Sequence, residues 1–381
     1  LQTHYDYIIT GAGCAGSSLL MRMMREPFFA CKRILVIDQS QKNKNDRTWC
    51  FWEKESGLFE SIVFRRWTKL DFLSNDFSAT LAIDPYQYKM IRGIDLYELA
   101  RTASAGHSNI DWHQGTVKNI YTENNKAIVE LENEKISATY VFNSIVQLNE
   151  SHSSGNWDLL QHFKGYLIES KTDAFDPARA TFMDFRVHQN HGTTFVYCLP
   201  VSPTTALVEY TLFTETLLPQ DVYEEELRAY IASSLHLSEY EILHEEYGVI
   251  PMTSRRFPLQ TGRVVHMGVA GGQVKGSSGY AFQFIQKRTE EIVGGLMNGS
   301  ASFSRRSFTD QKFYFYDRVL LNVLCNKKME GAAIFASIFR KNPPERVLRF
   351  LDNESGLMDD LRIMRSVPVS VFLPAALQEL F

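Results

Sequence analysis

Disulfide chemistry has little to work with in this sequence. Its five cysteines (Cys14, Cys31, Cys50, Cys198 and Cys325) are odd in number and scattered, with no Cys-x-x-Cys pair and no Cys/His cluster. That pattern argues against a disulfide framework and a structural zinc site, so no metal centre is expected and a reducing compartment is the default. Long hydrophobic runs are missing as well. No stretch of about 18 predominantly apolar residues occurs, so no transmembrane helix is expected. The opening residues Leu1–Tyr7 lack the basic-then-apolar pattern of an export leader, and none is expected. There is no fixed-period repeat and no low-complexity linker. Nor is one sign of charge in excess: 44 acidic and 40 basic residues leave a net −4, which gives no nucleic-acid footprint.

What the chain does have is aromatic side chains, 13% of 381 residues, with 26 Phe and 17 Tyr. These fill a generous core or line a site for a long apolar ligand; composition alone leaves both open. The length suits two domains or one large interrupted one, and 44% apolar with 22% charged residues is ordinary globular composition.

Along the chain, apolar periodicity predicts a strand over Tyr5–Thr10, a glycine-rich turn over Gly11–Gly16, a helix over Ser17–Arg25 and a strand over Arg33–Asp38. The alternation in "TKLDFLS" and "SATLAID" predicts antiparallel strands, and Ile91–Ala103 has helical spacing. "IDWHQGTVKNIYTE", "KAIVELEN" and "ATYVFNSI" read as a meander returning to the first sheet. A second strand-rich block, Gly165–Gly262, is interrupted by a helix near Tyr223–Ser234. A long helix is expected over Gly279–Met297, and everything after Phe308 reads as helical. Pro343 and Pro344 suit a helix start, where the missing donor costs little.

"YIITGAGCAG" places Gly11, Gly13 and Gly16 between an apolar strand and a helix. In a dinucleotide site the first glycine turns the chain, the second admits a pyrophosphate, and the third lets helix and strand pack closely. The amides at the helix N-terminus favour phosphate charge. Asp38 closes the second strand 22 residues after Gly16, the spacing of an acid that holds ribose hydroxyls. A tight turn with a surface aspartate is the plain alternative. A second glycine-rich junction, Val264–Phe282, follows roughly 250 residues later. It suits a segment that rejoins the nucleotide domain beside the ribityl and pyrophosphate of FAD, which favours FAD over NAD.

Taken together, "DYIITGAGCAG", "DRTWCFWE", "IRGIDLY", "FMDFR", "LPVSPTTALVEYTLF", "YGVIPM" and "GGQVKGSSGYAF" resemble the bacterial lycopene β-cyclase family of FAD-dependent enzymes, in that family's order and almost from end to end. "FYDRVLLNVL" and "ERVLRFLD" extend the match. The resemblance implies an α/β fold of hydroxylase-like flavoprotein type: a Rossmann-type FAD-binding domain, an inserted β-rich substrate domain and C-terminal helices. On that reading residues 1–50, 85–150 and 263–305 form the discontinuous FAD domain, 51–84 and 151–262 the substrate domain, and 306–381 a helical region for membrane docking. It implies cyclisation of the acyclic ends of lycopene, and of the monocyclic carotene, to β-ionone rings without net redox change. Reduced FAD is the implied cofactor and NAD(P)H the electron donor. The family often has Pro at the place of Gly276 and Thr at that of Ser278; both departures are expected to loosen the loop near the flavin.

Such a cyclisation needs an acid in an apolar pocket, aromatic faces for a carbocation, and exclusion of water. In "TALVEYTLF", alternation puts Leu207, Glu209, Thr211 and Phe213 on one strand face, where desolvation keeps a carboxyl protonated. The family's essential glutamate falls at Glu209. Asp184 and Arg186, two apart in "FMDFR", share a strand face, either as an ion pair near flavin or substrate or as an exposed pair; the resemblance favours a supporting catalytic role. Trp49, Phe51 and Trp52 either stack on the polyene or fill core, and Glu53 is a second carboxylate for the cavity. The expected cofactor contacts are Gly11, Gly13, Ala15, Gly16, Asp38, Arg47, Arg92, Val117, Gly268, Gly271, Gly279 and Tyr280. Whether the flavin or Glu209 gives the first proton stays open. Because lycopene dissolves in bilayers, peripheral association with the cytoplasmic face of a membrane is expected. The Phe-rich helices of Phe313–Arg340, including Ile334, Phe335, Ile338 and Phe339, and the tail from Val367 are candidates for that contact. Rival readings are a flavin monooxygenase, a polyprenyl reductase, and a carotenoid-binding flavoprotein without catalysis.

Overall fold

The computed structural model describes residues 3–146 and 155–380. The expected domain boundary at 150/151 therefore lies outside the described residues. Runs of Val, Ile and Leu without alternation make strands that are buried on both faces, which is the signature of a parallel sheet. Val264–His266, Lys135–Asn143, His4–Thr10, Ile34–Asp38 and Ile110–Gln114 lie side by side in that order, all parallel. Helices Cys14–Arg25, Gly93–Ser104 and Phe282–Met297 cover one face through Leu19, Leu20, Leu96, Ala100, Ile285 and Ile292. The hairpin of Asn119–Glu123 and Lys126–Glu130 pairs with Lys135–Asn143, and Val129 joins Ile8, Leu35 and Ile37 on the other face. Only this hairpin and its partner form the expected meander. Ile110–Gln114 breaks off at Gly115 and joins the parallel edge instead.

Seven strands form the second sheet, in the order Tyr240–Thr253, Asp158–Ser170, Thr205–Thr214, Thr193–Pro200, Ala180–Asp184, Lys69–Leu73 and Ser78–Ala82. All neighbours are antiparallel except Ala180–Asp184 with Lys69–Leu73. Its two faces are both apolar but face different partners. Ala206, Val208, Tyr210 and Leu212 pack on Tyr223, Leu227 and Ile231 of helix Gln220–Ser233. Leu207 and Phe213, one residue out of phase, join Trp52, Tyr88, Phe182 and Tyr197. Between the two large sheets sits a three-stranded one, Thr48–Glu53, Gln87–Arg92 and Arg65–Trp67.

Five helices close the chain: Phe308–Cys325, Gly331–Lys341, Pro344–Leu351, Leu357–Met364 and Val369–Gln378. The first is capped reciprocally by Ser307 and Asp310, and Pro344 opens the third at its first turn. Ile334, Phe335 and Phe339 do not face outward as expected for lipid contact. All three are buried, Phe335 and Phe339 in the same core as Phe182 and Trp52. None of the described helices is long and apolar enough to cross a membrane.

His162 shows how tightly the helix-covered face is made. Fully buried, it meets Thr214 Oγ1 at 2.6 Å through Nε2 and the Tyr223 hydroxyl at 2.6 Å through Nδ1. Burial lowers its pKa from 6.5 to about 4. On acidification the unfolded chain takes up this proton near 6.5, whereas the native one does so only near 4. Stability present above 6.5 is therefore lost as pH falls through that window, by up to about 3 kcal/mol. Urea midpoints followed across the window check this: His162→Gln is expected to flatten the slope.

Candidate active site

The nucleotide cradle is built by exclusion. Gly11 has φ +90°, and a β-carbon on it would fall 2.3 Å from Ser144 Oγ. One on Gly16 would fall 1.9 Å from the Gly11 carbonyl, so the helix can start this close only without a side chain. At Gly13, by contrast, no atom lies within 4 Å of that position, which leaves the cradle open where a pyrophosphate would approach. No acid occupies the first turn of helix Cys14–Arg25 to compete for its N-terminal field. The Asp38 carboxylate accepts from the Ala12 amide at 2.7 Å and the Ser40 amide at 2.8 Å, so it stands beside the cradle. The Gly115 amide donates to the Asp38 carbonyl at 2.9 Å, which brings the loop carrying Val117 to the same end of the sheet.

The second glycine-rich segment meets the first. Gly268 has φ +62°, and a β-carbon there would come within 3.1 Å of Ala15 Cβ. At Gly271 it would strike the His266 carbonyl at 2.5 Å, and at Gly279 the Gln161 side chain at 1.9 Å. Gly11, Gly13, Ala15, Gly16, Asp38, Gly268 and Gly271 thus converge, and their shape fits a dinucleotide. Arg47 is exposed where the chain enters strand Thr48–Glu53. Arg92 pairs with Asp95 at 2.6 and 2.7 Å and covers the Phe64 ring.

In the second sheet Glu209 and Glu246 both lie opposite Gly165, one on each neighbouring strand, and Tyr197 continues the row beyond Glu209. Two strand spacings separate the glutamate backbones by about 10 Å. The side chains close that gap over the glycine, where an added β-carbon would sit 3.1 Å from Glu246 Cγ and 3.4 Å from Leu207 Cδ1. Glu246 is buried, and neither of its oxygens is reached by a donor with hydrogen-bond geometry, although Thr48 is close enough to favour its charge. Glu209 keeps part of its surface accessible and accepts from Thr211 Oγ1 at 3.0 Å. Burial raises both carboxyls, and the charge of Glu246 raises Glu209 further, well above the carboxylate range. The pair then holds a proton, and a proton shared between the two carboxyls supplies the donor that Glu246 lacks.

Aromatic rings surround the pair. Trp52 stands edge-on to Tyr280 with centroids 4.9 Å apart, and Tyr88 stands edge-on to Phe182 at 5.4 Å. The Tyr197 and Tyr280 hydroxyls meet at 3.3 Å. Cys50 packs against the same cluster, and its burial pushes the thiol upward. Strand alternation divides the "TWCFW" run: Cys50 and Trp52 face this cluster, whereas Phe51 stacks on Phe282 at 3.9 Å in the nucleotide-domain core, with Trp49 beside it. Glu53 is bound to the buried Lys89 ammonium at 2.8 Å and takes no place in the row.

Over residues 6–377 the chain matches the family described as "Lycopene cyclase protein". It belongs to the lycopene cyclase family. A curated relative, the lycopene beta-cyclase of Pantoea ananas, is 23% identical over 400 residues, covering 99% of this chain and 98% of its own. Among solved structures it is similar to a flavoprotein/dehydrogenase from Cytophaga hutchinsonii (TM-score 0.66, 12% identity, 99% and 98% of the two chains). It is also similar to a geranylgeranyl bacteriochlorophyll reductase-like protein from Thermoplasma acidophilum (TM-score 0.62, 12% identity, 99% and 98%). The fold is that of these flavoproteins.

Within this lycopene cyclase fold Asp184 and Arg186 do not join Glu209. They form the expected ion pair, at 2.8 and 2.9 Å. A β-bulge between Thr181 and Asp184 turns Asp184 to the opposite sheet face, where the Tyr230 hydroxyl of helix Gln220–Ser233 donates to it at 2.9 Å. Strand period alone misses that shift. Glu246 and Gly165 also escaped the sequence reading, because their meeting depends on the register of three strands. The Gly276 loop is not loose either. Buried Lys275 binds Asp317 at 2.7 Å and Asn353 at 2.7 Å, and Ser277 donates to the same carboxylate at 2.6 Å.

Asp317→Asn leaves the Lys275 ammonium buried without its counter-charge. A loss of about 3–5 kcal/mol is expected in urea unfolding, with partial recovery when Lys275→Met is added.

Proposed function

We propose that this chain is a lycopene β-cyclase: it closes the acyclic ends of lycopene into β-ionone rings, giving γ-carotene and then β-carotene, with no net redox change. The Glu209–Glu246 pair inside a wall of aromatic rings carries the reading, because a protonated carboxyl in an apolar, π-rich pocket is what a polyene protonation requires. The nucleotide cradle fits FAD, which Gly11, Gly13, Ala15, Gly16, Asp38, Val117, Gly268, Gly271 and Gly279 would hold. Bound there in reduced form, FAD would supply an electron-rich ring.

Glu209 delivers its proton to a terminal double bond. The next double bond attacks the resulting tertiary cation, a carbon–carbon bond closes the ring, and a ring proton leaves to the carboxyl pair. One proton enters and one departs, so the mass of the carotene is unchanged. Trp52, Phe182, Tyr197 and Tyr280 present ring faces and edges that stabilise the cation and exclude water. Asp184 and Arg186 act structurally, tying the sheet to helix Gln220–Ser233. NAD(P)H is the source of electrons in this reading. The substrate dissolves in bilayers, which makes the protein peripheral to a membrane.

Expression in lycopene-accumulating bacteria with pigment analysis tests the reading. β-Carotene or γ-carotene is expected, of unchanged mass; oxygenated or hydrogenated product would instead mark a monooxygenase or reductase. Glu209→Gln is expected to cost about 100- to 10,000-fold in turnover, and near-normal turnover would sink the assignment. The active form needs Glu209 protonated, so turnover falls as pH rises through its pKa. Glu246→Gln removes the charge that raises that pKa, and the alkaline limb of the pH profile is expected to move to lower pH. Asp184→Asn is expected to keep the product pattern while lowering stability.

A further inference from the structure

Two consecutive C-terminal helices leave apolar stripes uncovered. Leu357, Met358, Leu361 and Met364 on the first, and Val369, Leu373, Leu377 and the following Leu380 on the second, are each between 37% and 67% exposed. Leu357, Leu361 and Met364 on the first helix, and Val369, Leu373 and Leu377 on the second, recur in steps of three and four residues along one face, with Met358 and Leu380 adjoining them. Single exposed leucines are ordinary, whereas eight large apolar side chains on adjacent helices form a surface that needs a partner. The inner side of the first helix carries Ile363, buried in the same core as Trp52, Tyr88 and Phe182. This helix packs on helix Pro344–Leu351, whose Val347 and Leu348 belong to that core.

The rim of this surface is cationic. Arg346, Arg349 and Arg362 converge on the single Asp359 carboxylate, at 2.9, 3.5 and 3.1 Å, and Arg365 is exposed beside them. The neighbouring Asp360 is buried and bound to Lys312 at 2.7 Å, so it contributes no surface charge. From Ser366 to Gln378 there is no charged residue at all. An apolar stripe edged by uncompensated guanidinium groups complements anionic headgroups over acyl chains. It does not complement a second copy, because a two-fold interface would set the same cations against themselves.

We propose that helices Leu357–Met364 and Val369–Gln378 form the docking face for an anionic bilayer, from which an apolar substrate is drawn. The docking face rests on the carotenoid reading only for what passes through it. Sedimentation of the FAD-loaded full chain with vesicles tests it without substrate, using phosphatidylcholine alone and with about one third phosphatidylglycerol. Stronger binding to the anionic vesicles is expected. Leu361→Asp, Leu373→Asp and Leu377→Asp together are expected to lower the bound fraction about tenfold or more. Arg362→Ala with Arg365→Ala is expected to remove the preference for anionic lipid. All five positions are exposed, so flavin content and circular dichroism should be unchanged. Variants that sediment like wild type would overturn the proposal. So would a wild-type dimer with no vesicle affinity that the aspartates convert to monomer. A chain that binds vesicles through this face yet cyclises nothing supports the docking face and overturns the carotenoid reading, so the two fail separately.

Discussion

Like charges repel most where water is kept out, and Glu209 and Glu246 are held in such a place, on two strands that flank the side-chain-free Gly165. Both cannot be ionised cheaply, so one proton stays on the pair. Much of the surrounding structure serves that condition. The opposite sheet face is sealed by helix Gln220–Ser233, and the near face by Trp52, Phe182, Tyr197 and Tyr280. Helices from the C-terminal region complete the wall through Phe335, Phe339, Val347 and Leu348. The aromatic excess of the composition thus has two destinations: core that excludes water from the pair, and ring surfaces that face it.

The half built on the parallel sheet and the half built on the seven-stranded sheet are joined through direct contacts. Strand Thr48–Glu53 serves both sides at once, giving Trp49 and Phe51 to one core and Cys50 and Trp52 to the other. The loop between Gly268 and Gly279 touches Ala15 at its start and Gln161 at its end, and Lys275 anchors its middle to Asp317. The loop in this way reaches the strand that carries Gly165, since Gln161 lies on that same strand.

Legibility in the sequence followed the range of each interaction. The glycine fingerprint, its flanking strand and helix, and Asp38 are local, and they stand where their spacing puts them. Glu209 was recoverable because a strand repeats every two residues. Glu246 was not, since nothing in "HEEYGVIPM" says which residue of a distant strand it will face. The pairing of Asp184 with Arg186 was readable, but not the sheet face it takes, which a bulge residue decides. The C-terminal helices show a further limit: apolar spacing marks a stripe but not its partner. Phe335 and Phe339 found core, while the plainer leucines of the last two helices were left outside.

The central claim is that burial and the closeness of the two carboxyls keep a proton on the Glu209–Glu246 pair at neutral pH. Infrared difference spectroscopy reads that state directly, through the carbonyl stretch of a protonated carboxyl. Asp352, whose burial raises its pKa to about 8, contributes a band of its own. The account predicts a second band at neutral pH that disappears in Glu209→Gln and persists in Asp352→Asn. A spectrum that Glu209→Gln leaves unchanged would contradict it.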